Sequence, residues 1–190
     1  MANLADYWFY HGTTKENAKR ILKARHFNLN TKDGSLGAGA YAFAYSAKEA
    51  KSFAHLKGAP NHAVPSNDIA VLRFKLKDNS SILDFTRPET ILYFENYTIH
   101  YKNQIINVIN HSRASNTKSN IHKLDGVILD TLIEHIFKFH KFSFQGIYNV
   151  SQNDLSGKLI PNSLIPNSME LSIRSNDIIN FESMSIKKED

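Results

Sequence analysis

Two stretches decide the reading of this chain: Trp8-Phe9-Tyr10-His11-Gly12-Thr13-Thr14 and, after a glycine-rich gap, Gly37-Ala38-Gly39-Ala40-Tyr41-Ala42-Phe43-Ala44-Tyr45. The aromatic run at Trp8 to His11 reads as a buried strand that stops at Gly12-Thr13-Thr14. Thr14, with Asn17 three residues on, is a helix N-cap, and Ala18, Ile21, Leu22 and Ala24 have helical spacing, so the pattern predicts a helix over 15–25. Residues 28–39 hold Asn, Asp and the glycines Gly34, Gly37 and Gly39, a loop composition. Residues 40–45 alternate aromatic and small side chains as a strand does. Ser46 then caps a second helix through about residue 55, with Ala47, Ala50, Phe53 and Ala54 on one face.

Working outward, 60–68 is a polar loop and 69–77 is the clearest strand in the chain. A short strand or turn at 81–85 precedes a helix predicted over 88–109, opened by Pro88-Glu89 and carrying Ile91, Leu92, Phe94, Ile105, Ile106 and Ile109. The polar stretch 113–120 leads to strands at 125–130 and 145–150 with a helix over 132–139 between them. A pentapeptide then occurs twice in tandem, Leu159-Ile160-Pro161-Asn162-Ser163 and Leu164-Ile165-Pro166-Asn167-Ser168. One duplication of five residues is no solenoid, and its prolines indicate a non-helical loop. Strands follow at 169–174 and 178–181, and 183–190 reads as a polar tail. Several short strands with a few helices make the chain α+β rather than doubly wound.

At 190 residues the chain is long enough for one domain with its own core, and its 42% hydrophobic and 22% charged content is that of a water-soluble fold. It has no cysteine, which excludes disulfide scaffolds, thiol nucleophiles and cysteine-ligated metals. The N-terminal residues lack a basic and an apolar signal region, and the apolar runs are far shorter than a membrane span. The expectation is a cytoplasmic protein, or one exported without a removable signal, with no membrane partner. Net charge is +5 and the sequence pI about 9.3. Basic residues gather between 100 and 141 (Lys102, Arg113, Lys118, Lys123, Lys138, Lys141), with five of the nine histidines. Such a segment suits a polyanionic partner or a solvated face.

Three segments carry potential chemistry: Tyr10-His11-Gly12-Thr13, Gly37-Ala38-Gly39-Ala40-Tyr41, and Met169-Glu170-Leu171-Ser172-Ile173. Singly, each has a plainer reading. His11 at a strand end is a hydrogen-bonded structural histidine, Gly-x-Gly is a turn, and Glu170 is a solvent-facing strand residue. A Walker or Rossmann fingerprint is absent, because neither Gly-Lys-Ser/Thr nor a third spaced glycine follows. Alternation places Met169, Leu171 and Ile173 on one face and Glu170, Ser172 and Arg174 on the other, which would line a cleft.

In this order and spacing the segments resemble the ADP-ribosyltransferase fold, in its poly-ADP-ribose-polymerase-like branch with a His-Tyr-Glu triad. The match is good over 8–56, weak over 85–150, and returns at 167–174. The resemblance implies a split antiparallel or mixed β-sheet with flanking helices, in one catalytic domain over 1–182 with a helical insertion at 85–124 and the tail 183–190. It implies NAD as co-substrate and no metal. By the same resemblance His11 would bond the adenosine-side ribose, the Gly12 backbone with Thr13 beside it would hold the nicotinamide carboxamide, and Tyr41 would pack on the nicotinamide ring. Phe53 or Tyr45 would cover the opposite face of that ring. Ser46 would contact the carboxamide or serve only as the helix cap. Glu170 would accept a bond from the nicotinamide-ribose 2′-hydroxyl and stabilise the oxocarbenium charge as the glycosidic bond breaks.

The arginine-directed branch of this fold has Glu or Gln two residues before the catalytic glutamate; here Ser168 stands there, and His11 replaces that branch's strand-one arginine. The reading is therefore a mono-ADP-ribosyltransferase with a macromolecular acceptor, nucleic acid (RNA or DNA) favoured over protein, acting as the toxin of a toxin–antitoxin or phage-defence system. An antitoxin protein would be a further partner. The loop 151–168, with Lys158 as its one cation, would face the acceptor. Three alternatives stand beside it. An RNA 2′-phosphotransferase shares the fold but needs several basic residues around the phosphate. A metal hydrolase would need a His-x-x-x-His or His-Glu-x-x-His pattern, which is missing. The third is a catalytically inert NAD- or ADP-ribose-binding interaction module.

Overall fold

Strand β1 (Phe9–Thr14) runs directly into helix α1 (Lys15–Ala24), because Thr14 ends the strand in extended backbone and its hydroxyl accepts from Asn17 N at 3.2 Å. That bond satisfies one of the N–H groups a helix start leaves without an internal partner. The same device joins β2 (Ala40–Ala44) to α2 (Ala47–Lys57), where Ser46 Oγ accepts from Glu49 N at 3.2 Å. The remaining elements are β3 (Ile69–Leu76), β4 (Ile82–Asp84), α3 (Pro88–His100), α4 (Lys102–His111), α5 (Ile121–His140), β5 (Gly146–Ser151), β6 (Ser168–Ile173) and β7 (Ile179–Ile186). The structure, a computed structural model, describes residues 3–29, 34–57, 64–111, 121–151 and 168–188. The polar stretch 113–120, the tandem repeat up to Asn167 and residues 152–167 of the loop expected to face an acceptor lie outside the described residues.

All seven strands join one mixed sheet in the order β4-β5-β6-β2-β1-β3-β7, antiparallel throughout except for the parallel pair β4–β5. A parallel pair needs a long crossover, and α3, α4 and α5 supply it. The α+β class and the mixed sheet are as read from the sequence.

Alternation along each strand separates two buried layers. Phe9, Ala42, Leu72, Phe74, Leu171 and Ile173 form one, closed by α1 and Phe27. Tyr41, Leu83 and Ile147 pack with Leu129, Leu132, Ile133 and Ile136 of α5 in the other, continued by Phe43, Ala50 and Val71 under α2. Gly12 lets α2 approach β1 closely: a Cβ there would collide with the Ala50 carbonyl.

Four expectations need correction. Residues 125–130 are not a strand but part of α5. The buried set Leu129, Leu132, Ile133 and Ile136 recurs at helical spacing straight through that boundary. Gly126 suggested an extended segment, but its role is close packing, since a Cβ would strike the Gly34 carbonyl. The helix expected over 88–109 is two, divided at Tyr101, whose backbone (φ −103°, ψ 21°) leaves the helical region while its ring packs on Tyr97 and His135. Helix between β4 and β5 therefore reaches beyond 124, to His140. Finally, the last strand does not end at 181 with a tail from 183. β7 continues to Ile186, pairing Ser185 with Arg73 and Ile186 with Leu72. Edge-strand pairing uses backbone groups, so polar side chains there do not stop it.

Candidate functional site

The seam between β2 and β1 organises the site. Their ladder holds two register pairs only, Phe9 with Ala44 and Tyr10 with Phe43, whereas β1 and β3 are in register over six. Past Tyr10 the strands are bridged instead by His11, whose Nδ1 lies 2.6 Å from the Tyr41 carbonyl oxygen. A carbonyl can only accept, so Nδ1 carries a proton and donates it.

Register then assigns side chains to faces. Tyr41 opposes Ser172 and Phe43 opposes Glu170, so these four, with Ser168, share the face covered by α2 and α5. Glu170 is 4% exposed and accepts from Ser35 Oγ at 3.1 Å. Tyr41 is 2% exposed; its hydroxyl accepts from Leu36 N at 2.7 Å and donates to the Gly37 carbonyl at 2.9 Å. Burial foremost, opposed by the Leu36 bond and aided by the neighbouring Glu170 charge, pushes the phenol far above its ordinary pKa, so it stays neutral. Phe53 of α2 stacks on the Tyr41 ring with centroids 5.8 Å apart and planes 28° apart, and meets Phe43 edge-on at 5.4 Å.

The segment 34–39 folds over this face and is held at several points. Ala38 N donates to the Asp130 carboxylate at 3.0 Å, Ser172 Oγ donates to the Ala38 carbonyl at 3.0 Å, and Arg174 bonds both the Leu36 carbonyl and Asp130. Gly37 (φ 74°) and Gly39 (φ 149°) make the bend, in conformations that side-chain-bearing residues resist. The Gly-x-Gly of the sequence is thus a turn that seats a loop on Glu170.

A second carboxylate joins the first. Glu49, 7% exposed on α2, accepts from Ser168 Oγ at 2.8 Å. Burial raises its pKa, the Ser168 bond opposes that, and the Glu170 charge adds to the rise. Neither Glu49, Ser35 nor Asp130 stood out in the sequence. For Glu49 the available signal was helical spacing, since it precedes the core residue Ala50; for Asp130 it was the periodicity that continues through 125–140.

The other singled-out residues lie elsewhere. His11 and Thr13 point to the opposite side of β1, where the His11 ring meets Phe27 edge-on at 5.0 Å. Both line a cavity of about 480 Å³ with Asn17, Arg20, His26 and Asn28. So Tyr41, Phe53 and Glu170 are brought together, while His11 reaches them through the Tyr41 backbone. Tyr45 is not part of the site: it is 62% exposed, turns out of the strand at φ 63°, and packs on Tyr7 at 4.8 Å. Ser46 serves as the helix cap. The face around Glu170 is closed rather than an open cleft, and a cavity of about 820 Å³ lies apart from it, between β4, α3 and the end of α5. Among the described residues no cluster of three or more His, Asp or Glu could hold a metal, and no helix is long and apolar enough to cross a membrane.

No family model, curated protein or solved structure matches the chain.

Proposed function

We propose that the protein is an NAD-dependent mono-ADP-ribosyltransferase that carries ADP-ribose to a macromolecular acceptor, with Glu170 as its catalytic carboxylate. The observation that carries this reading is the buried Glu170 oxygen accepting a hydroxyl from Ser35 on the same face as the Tyr41–Phe53 ring pair. A serine hydroxyl is chemically a stand-in for the ribose 2′-hydroxyl, and two stacked rings, 28° apart in plane, offer the flat faces a pyridinium ring requires.

In the reaction the bond between nicotinamide nitrogen and ribose C1′ breaks, and its electron pair leaves with nicotinamide. Positive charge develops over C1′ and the ring oxygen. The Glu170 carboxylate, hydrogen-bonded to the adjacent hydroxyl in a site with little water, stabilises that charge as it forms. An acceptor oxygen or nitrogen then bonds to C1′ and releases its proton to solvent. By the resemblance, His11 would hydrogen-bond the second, adenosine-side ribose from the Phe27 side of β1. Two stacking contacts need about 7 Å between ring planes, so this pair, with centroids 5.8 Å apart, must part by at least about 1 Å to admit the base. Ser35 must exchange its place for the ribose.

Incubating the protein with NAD and measuring free nicotinamide tests the proposal. A transferase or NAD hydrolase releases nicotinamide with turnover. Heat of NAD binding without any release would identify an inert binding module instead.

A further inference from the structure

On the far side of α2 from Glu49 and Phe53, six lysines surround one groove: Lys15 and Lys19 of α1, Lys48 and Lys51 of α2, and Lys187 and Lys188 beyond β7. The groove has a volume of about 470 Å³ and an apolar floor from β3 and the end of β7, and among the described residues lining it none is acidic. We infer that this groove binds the phosphate backbone of a nucleic acid strand.

Four observations support the assignment. Lys15 and Lys19 stand four apart on α1, and Lys48 and Lys51 three apart on α2, so each pair occupies one helix face. Like charges so placed cost a helix stability, which folding alone does not favour. Secondly, Glu49, the acidic residue between the two α2 lysines, is turned inward to Ser168. Thirdly, the first residues of both α1 and α2 line the groove, and helix starts favour anions. Lastly, every cation there is lysine. Lysine meets phosphates as a point charge without reading sequence, whereas paired recognition of carboxylates favours arginine.

The groove adjoins the candidate site, because its floor residues Ala70 and Val71 are the register partners of Thr13 and Gly12. The inference rests on the transferase reading only for what then happens to the bound strand. It also differs in place from the basic segment at 100–141. There His135 is packed between the Tyr101 and Phe139 rings, and burial, then the nearby His140 and Lys138 charges, lower its pKa, so it adds no charge at neutral pH.

The test is fluorescence anisotropy of labelled single-stranded DNA and RNA oligonucleotides without NAD, as a function of salt. Six neutralised phosphates predict a log–log salt slope of about −4. Replacing Lys15, Lys19, Lys48 and Lys51 together by Gln, which keeps helix propensity, should reduce the slope's magnitude by about 3 and weaken binding at least about tenfold at moderate salt. Replacing the same four by Arg should restore it. The variant with Lys118, Lys123, Lys138 and Lys141 changed to Gln should keep the wild-type slope. Unchanged binding in the α1/α2 Gln variant, or loss of the slope in the other, would overturn the inference. So would failure to bind oligonucleotides while vesicles of phosphatidylcholine and phosphatidylserine, or polyglutamate, are bound through the same four lysines. Nicotinamide release from NAD alone is unaffected by these lysine changes, so failure here is distinguishable from failure of the transferase reading.

Discussion

The two faces of the central strands, built from the same residues in alternation, answer to different rules. One is mainly apolar: Phe9, Ala42, Leu72, Phe74, Leu171 and Ile173 are buried without a side-chain polar atom to satisfy, with Tyr148 among them and His11 against Phe27 at the edge. The other, one residue along each strand, buries Glu170, Ser172, Ser168, the Tyr41 hydroxyl and Glu49, and each has a hydrogen-bond partner. A fold needs only the first. Buried carboxylates lose hydration, and hydrogen bonds return only part of that cost, so the second face is the one to search for function.

The largest effect on stability is expected from the apolar face. Leu171→Ala should cost about 2–5 kcal/mol, since its surroundings are strands that cannot collapse into the void. A denaturant titration reads this directly; a loss well under about 1 kcal/mol would mean that the face is loosely packed.

An intermediate effect is expected from Tyr41→Phe, which keeps the ring against Phe53 and orphans the buried Leu36 N–H. The expected loss is about 1–3 kcal/mol, with NAD affinity little changed, because stacking survives. Tyr41→Ala is a poorer probe: at a site this buried it would weaken the fold and the ligand site together. No change of stability in Tyr41→Phe would show that the hydroxyl does not anchor the segment 34–39.

The smallest effect, and one of opposite sign, belongs to Glu49→Gln. A carboxyl whose folded pKa is raised favours the folded state while protonated. That gain is complete below the unfolded pKa and is lost as pH rises through the folded one. At neutral pH the ionised group is a net cost, so Glu49→Gln should leave stability unchanged or raise it by up to about 1 kcal/mol. The advantage should shrink on acidification. Thermal midpoints at neutral and mildly acidic pH check it; a neutral-pH loss would indicate that the charge itself is required.

Much of this was legible in the sequence, unevenly. The two strand–helix joints could be read because their caps are local: Thr14 and Ser46 act within three residues. Glu170, Ser172 and Arg174 were assigned to one face by alternation alone, and they share it. Residues 125–130 were misread because Gly126 and the β-branched run that follows suggest a strand locally, while the deciding information is Gly126 packing against the segment at Gly34 and Gly37. Ser35 and Asp130 could not be tied to Glu170 and Arg174 for the same reason, since their partners are distant in sequence. The lysine groove was invisible because its six residues come from three separate segments.

The central claim is that Glu170 is buried for chemistry rather than for folding. Nicotinamide release from NAD, compared between the wild-type chain and Glu170→Gln, tests it most directly. Gln keeps an oxygen for Ser35, so the denaturation midpoint should stay close to wild type while release falls by about 10²–10³. Equal release by the two proteins, or none from the wild type at saturating NAD, would contradict it.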